Sequence, residues 1–299
     1  MHKLRIGTRG SKLAIIQATI VKNELINILH YPENLIEIIT IKTSGDKFAT
    51  ADLSQIGGKG LFIKEIEEAL LINQIDIAVH SLKDVPAFIP EGLEICAVLE
   101  REDPRDILLT QDGLSFLELK KNAIVGTCSP RRKVQLLNLR PDLQIVLFRG
   151  NIDTRIKNLR LGSVDATMLA IAGIKRAQIS DIKYQILETD VILPAVGQGA
   201  LAIEVKNTNT DIKELLSHIN HEKSFIEVTT ERSFLKALEA DCISPVAAYA
   251  KFIDANTISF ECLVATEDYK HIYREKRIFN IDNCITEAYL LGQSLKLYI

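Results

Sequence analysis

No stretch of this 299-residue sequence approaches the apolar length of a membrane span. The opening residues Met1-His2-Lys3-Leu4-Arg5 lack the apolar core of a secretory signal, so a cytoplasmic chain is expected. Excess positive charge is missing too. A net charge of −3 and a pI near 6.1 give no global basic field, which argues against nucleic acid as a partner and requires any anion to be held by a local cluster. The five cysteines, Cys96, Cys128, Cys242, Cys262 and Cys284, are odd in number and form no Cys-x-x-Cys pair. That pattern excludes a disulfide framework and a zinc site, leaving reduced thiols. His218 and His221 are the one helically spaced histidine pair and have no carboxylate or thiol companions, so no metal is expected.

What is present is an ordinary soluble composition, 47% hydrophobic and 25% charged, long enough for two or three domains with their own cores. The pattern centres on Ile77-Ala-Val-His-Ser-Leu-Lys-Asp-Val-Pro86, where an apolar run from Ile75 to Val79 reads as a buried strand. The polar residues that follow, His80 to Asp84, fall beyond a strand's carboxyl end, where open α/β sheets place their ligands. Leu4 to Gly7 reads as a first strand, and Ser11 caps a helix whose apolar positions are Leu13, Ile16, Ile20 and Ile28. A helix amino end bearing a hydroxyl and Arg9 suits an anion, because unpaired N–H groups and the helix dipole favour negative charge. After a strand at Leu35 to Ile41, residues 42–60 break pattern, with glycines mixed among Lys42, Lys47 and Lys59. A connection of that length is expected to act as a lid.

Beyond Glu100-Arg101-Glu102-Asp103-Pro104-Arg105-Asp106, which reads as a crossing into a second lobe, the same grammar returns. Strand Ile124 to Gly126 runs into Thr127-Cys128-Ser129-Pro130-Arg131-Arg132, with Ser129 as N-cap and Pro130 at the first helical position. Arg131 and Arg132 then occupy the wrong end of a helix for positive charge, so an anion should compensate them. Strand Gln144 to Phe148 leads to Arg149-Gly150-Asn151-Ile152-Asp153-Thr154-Arg155, and a third unit ends in Lys175 and Arg176. One arginine at a strand-helix junction is unremarkable. Arg9, Arg131, Arg132, Arg149, Arg155 and Arg176 together imply a ligand with several carboxylates or phosphates, since guanidinium forks match such groups in bidentate geometry.

Leu193 to Ala200 brings the chain back, and Leu201 to Val205 alternates like a strand rejoining the first sheet. Past two helical patterns, strands at Val246 to Phe252, Thr257 to Val264 and Tyr273 to Phe279 form a separate α+β segment. The expected fold class is α/β, two doubly wound lobes plus a C-terminal α+β domain. Its boundaries are 1–99 with 200–217 for domain 1, 105–193 for domain 2 and 222–299 for domain 3. Cys242 lies on the loop before those strands, whereas Cys96 and Cys262 fall in strand patterns and Cys284 near a helix start. Cys128 is its rival as a reactive thiol, because two arginines border it; chemistry alone leaves that choice open.

The chain resembles the porphobilinogen deaminase (hydroxymethylbilane synthase) family over essentially its whole length. The resemblance rests on Gly7 to Ser11 with Leu13-Ala14, Gly57 to Phe62, Asp76 to Pro86, Glu100 to Asp106, Gly126 to Arg132, Arg149-Gly150-Asn151 with Thr154-Arg155, and Leu193 to Ala200. It implies a monomer of three domains, the first two like the lobes of periplasmic binding proteins with the active site in the cleft between them. It implies a dipyrromethane cofactor carried by Cys242 through a thioether, and Asp84 as the catalytic carboxylate. Lys83, Ser129, Arg131, Arg132, Arg149 and Arg155 are implied to hold the cofactor, and Arg9, Ser11, Arg149, Arg155 and Arg176 the substrate, with Lys59 on the lid. The implied reaction joins four porphobilinogen molecules head to tail with loss of ammonia, then releases hydroxymethylbilane by hydrolysis.

The chemistry of that reaction agrees with the residues. Loss of ammonia from porphobilinogen leaves a cation, which calls for an anion near the ring nitrogen and cations around the periphery. Two departures from the family pattern stand out. Ala240 and Asp241 replace the usual pair of glycines before Cys242, putting a carboxylate beside the thiol and narrowing the loop's backbone options. The chain also stops at Ile299, earlier than many relatives. The competing reading is a two-lobed polyanion-binding protein without chemistry, which explains the arginines but gives the cysteine-bearing domain no purpose.

Overall fold

The computed structural model describes residues 3–44, 63–240, 244–266 and 268–298. The chain divides into two compact units, Met1–Glu102 with Ala200–Val228 and Asp103–Gly199 with Thr229–Ile299.

In the first unit, β1 (Leu4–Arg9), α1 (Lys12–Leu29), β2 (Ile36–Ile41), α2 (Lys64–Leu71), β3 (Ile77–Ser81), β4 (Leu93–Val98) and β10 (Leu201–Lys206) build one five-stranded sheet in the order β2-β1-β3-β10-β4. β1 runs parallel to β2 and β3, and β10 lies antiparallel between β3 and β4. The returning strand at 201–205 therefore does rejoin this sheet, near its centre. Helices cover both faces of such a sheet, which is why its strands read as nearly continuous apolar runs.

The first helix buries a different face from the expected one. Ala14, Gln17, Ala18, Val21 and Leu25 are buried, whereas Ile28 is half exposed, and Leu13, Ile16 and Ile20 lie at the margin. Apolar residues occur all round this helix, so periodicity did not select one stripe. The small Ala14 and Ala18 sit on the face turned toward the sheet.

The second unit repeats the plan. β5 (Asp106–Thr110), β6 (Ile124–Gly126), α3 (Pro130–Leu139), β7 (Gln144–Val146), α4 (Ile152–Arg160), β8 (Ala166–Ala170), α5 (Ile171–Arg176) and β9 (Tyr184–Leu187) give a sheet ordered β7-β6-β8-β5-β9. Here β6 is parallel to β7 and β8, and β5 is antiparallel to β8 and β9. The charged stretch ending at Asp106 thus runs straight into a buried strand that its composition concealed. α6 (Thr210–Ser217) and α7 (Glu222–Leu238) precede the C-terminal sheet of β11 (Val246–Phe252), β12 (Thr257–Ala265) and β13 (Ile272–Asn280), which is antiparallel throughout, and α8 (Cys284–Leu295) follows. Phe234, Phe260 and Phe279 pack in sequence at its centre. Two doubly wound α/β sheets with a C-terminal α+β segment are the fold class read from the sequence.

One glycine in each sheet leaves room for a neighbouring side chain to pack against its strand. A Cβ on Gly7 would stand 2.2 Å from the Ile75 side chain, and one on Gly126 would stand 2.5 Å from the Phe148 ring. Gly126 ends β6 just before the polar segment that follows, whereas Gly7 lies within β1, two residues before its end at Arg9.

Candidate active site

In the first unit, β1 and β3 are parallel, so Arg9 to Ser11 and the Lys83–Asp84 turn leave the sheet at the same end. Ser11 caps α1 as expected, accepting a hydrogen bond from Ala14 N, while buried Thr8 donates from Oγ1 to Ala14 O. The short 3-10 turn Leu82–Asp84 is pinned by Leu82, which is buried and donates its N–H to Ala200 O. Lys83 is left half-buried and Asp84 exposed. Gln17, buried on α1, donates to the Ser81 hydroxyl at 2.7 Å and braces the end of β3 from below.

In the second unit, β6, β7 and β8 are parallel, and the segments carrying Ser129 to Arg132, Arg149 to Arg155, and Arg176 emerge at one end. Ser129 caps α3, with Pro130 in the first helical turn. The anion that compensates Arg131 and Arg132 is Asp106. Fully buried, it accepts from Arg131 Nη1 at 2.8 Å, from Arg132 Nη2 at 2.7 Å and from Gln198 Nε2 at 3.0 Å. Burial alone would raise the pKa of this carboxyl, but the two guanidinium charges and their hydrogen bonds hold it below the usual carboxylate range. Arg131 also donates to Leu193 O, and Arg132 to Met168 O.

Arg131 and Arg132 are therefore only 3% and 6% exposed, set in the wall and not projecting from it. Two guanidinium groups share one carboxylate, so one positive charge is in excess. The Nε atoms of both are buried without a hydrogen-bond partner among the described residues. Arg155 lies nearby, donating from Nε to Gly150 O and from Nη2 to Cys128 Sγ at 3.5 Å. Burial lowers its pKa, Cys128 opposes the shift, and Arg132 and Arg149 add to it. Arg149 and Arg155 are partly buried and Cys128 is exposed. Arg176 instead donates to Gly199 O. The backbone around Gly199 is fastened again through Gly197 N, which donates to the buried Glu231.

Sequence reasoning missed Asp106, Gln198 and Gln17. Asp106 was hidden in a run of charges, and the two glutamines carried no local signal. Lys59, most of the 42–60 segment and Cys242 lie outside the described residues, as does Asp241. No group of His, Cys, Asp or Glu among the described residues is suited to a metal ion, and no helix there is long and apolar enough to cross a membrane.

A family model described as "Porphobilinogen deaminase, dipyromethane cofactor binding domain" matches residues 4–214, and one described as "Porphobilinogen deaminase, C-terminal domain" matches 225–299. The chain is 45% identical to a porphobilinogen deaminase of Lawsonia intracellularis over 99% of its own length and 94% of the relative's. It is 46% identical to one from a Wolbachia of Drosophila simulans, with 98% of each chain covered. Among solved structures, a Salmonella typhimurium periplasmic binding protein described for its high arginine specificity aligns with 79% of this chain and 94% of its own, at 13% identity and a TM-score of 0.39, a likeness too faint to argue from.

Proposed function

The chain belongs to the porphobilinogen deaminase family, and from that premise we propose how its residues divide the work. The activity is that of a transferase of tetrapyrrole synthesis, joining porphobilinogen units head to tail with loss of ammonia onto a covalently held dipyrromethane and releasing hydroxymethylbilane by hydrolysis. One observation carries the assignment of residues: two buried arginines share the single carboxylate of Asp106, leaving surplus positive charge and unfilled Nε donors. That donor set fits a group whose pyrrole rings bear acetate and propionate arms.

When bound, the cofactor supplies a pyrrole carbon to which the growing chain is joined. Ser129, Arg131, Arg132, Arg149, Arg155 and Lys83 hold its acid arms, and Cys242 anchors it. Arg9, Ser11, Arg149, Arg155 and Arg176 hold the arms of the incoming porphobilinogen. Each charge-assisted hydrogen bond contributes about 1.5 to 3 kcal/mol, so several in concert retain a polyacid through successive additions. Asp84, exposed on its pinned turn, serves the ring nitrogen as positive charge develops and moves the proton that departs. Lys59 is assigned to the same site, residues 222–299 with Cys242 make up a third domain, and the protein works as a cytoplasmic monomer.

Intact-protein mass is the direct test. Purified protein should carry an addition of two pyrrole units and, given porphobilinogen, should release ammonia and a linear tetrapyrrole. An unmodified chain that binds porphobilinogen without consuming it would establish the bare polyanion-binding reading instead.

The arginines should separate by burial. Arg149→Leu should leave folding intact and stall chain growth, seen as altered proportions of partly elongated adducts by mass. Arg131→Leu should also destabilise the protein by about 3 kcal/mol, because Asp106 stays buried with one guanidinium lost. Normal growth of the chain in both variants would remove these arginines from the site.

A further inference from the structure

Behind the Lys83–Asp84 turn lies a buried group of charges that the assigned roles leave unused. His80, on the last stretch of β3, places Nε2 3.1 Å from Oε2 of Glu204 on β10, and the two side chains are 3% and 0% exposed. The antiparallel register sets His80 opposite Ala202 and Glu204 opposite Ala78, the diagonal relation that lets the pair meet on one face. Glu67 of α2 is also buried and closes the group. Among the described residues, the remaining oxygens, Glu67 Oε1 and Glu204 Oε1, are buried with no hydrogen-bond partner. Two buried carboxylates against one imidazole are costly to keep, and apolar side chains of similar volume would serve packing as well. The group lies where it can act on the catalytic turn: Ser81 and Leu82 follow His80 directly, and Asp84 is the end of that turn.

We propose that His80 is a positioning residue for Asp84, and that the His80–Glu204 pair with Glu67 forms a buried polar support that sets the Lys83–Asp84 turn. The inference rests on the reading that Asp84 serves porphobilinogen. The titratable groups facing Glu67 are Glu204 from β10, His80 from β3 and Glu68 on its own helix. Burial, and then the charge of Glu204, push the Glu67 carboxyl up to about 7, against the pull of His80 and with a smaller push from Glu68. A carboxyl whose folded pKa is raised favours the fold in its protonated form. That contribution is complete below the ordinary glutamate range and is lost as pH rises to about 7. Above that window Glu67 adds a buried negative charge to the group.

The test uses cofactor-loaded protein, with loading checked by mass, and measures kcat and KM from about pH 5.5 to 9. Glu67→Gln fixes the neutral form and should flatten that part of the kcat profile which falls near pH 7 in the parent. The paired replacement of His80→Leu with Glu204→Leu removes both members of the contact, so neither is left buried without its partner. It should keep KM within about 3-fold while kcat drops about 10-fold or more, the signature of a displaced catalytic group and not of lost binding. A Glu67→Gln profile superimposable on that of the parent would overturn the proposal, as would a loaded, folded double variant with parental kcat. Parent protein that carries the cofactor yet leaves porphobilinogen untouched would sink the functional reading itself, and the inference with it.

Discussion

Cys242→Ser is expected to give a chain of unmodified mass that forms no linear tetrapyrrole, with residual turnover below about 1% of the parent, since an anchor that does not form leaves nothing to extend. The structure narrows the alternatives by what it does to the other thiols. Cys96 and Cys262 are pushed up to about 12 by burial in their strands, where the reactive thiolate is negligible at neutral pH. Cys284 is buried, accepts from the Thr230 hydroxyl and donates to Ile281 O, the surroundings of a structural residue. Cys128 remains, exposed beside Arg155. The parallel variant Cys128→Ser should therefore retain the two-pyrrole addition and most of its turnover. An addition that survives Cys242→Ser but disappears in Cys128→Ser would move the anchor to the second unit.

The strand-helix grammar, the two serine caps and the emergence of the arginine segments from parallel strands could all be read in advance, because each leaves a local mark: an apolar run, a hydroxyl before a helix, a proline at the first turn. Buried charge leaves no such mark. Asp106 reads as the last of a solvated series until β5 places it between β8 and β9 and two guanidinium groups turn to meet it. Glu204 sits in Leu201-Ala-Ile-Glu-Val205, where alternation alone would turn it to solvent, yet it is fully buried because β10 is an inner strand. Its partner His80 is 124 residues away in sequence, a separation that no periodicity detects. The misplaced stripe of α1 has a related cause: which face is buried depends on the sheet's need for small residues, a property of the partner and not of the helix.

Asp84→Asn should leave folding and docking nearly unchanged while slowing turnover about 100-fold or more, the range seen when a preorganised electrostatic partner is removed from a transition state. The side chain is exposed on a turn held by Leu82, and an isosteric change at such a position alters stability by no more than about 0.5 kcal/mol. The carboxylate arms of porphobilinogen are assigned to four arginines and a serine, so the neutral variant loses no partner for them and KM should stay within about 3-fold. Its loss falls on the step in which ammonia departs, when positive charge spreads onto the ring nitrogen and an amide dipole replaces a full negative charge. Single-turnover release of ammonia should slow by the same factor as steady-state turnover, and Asp84→Glu, which keeps the charge but displaces it by one methylene, should recover part of the rate. If Asp84→Asn instead weakened binding while single-turnover release kept its parental rate, Asp84 would be a docking group, and the positive charge of the reaction would have to be met elsewhere in the chain.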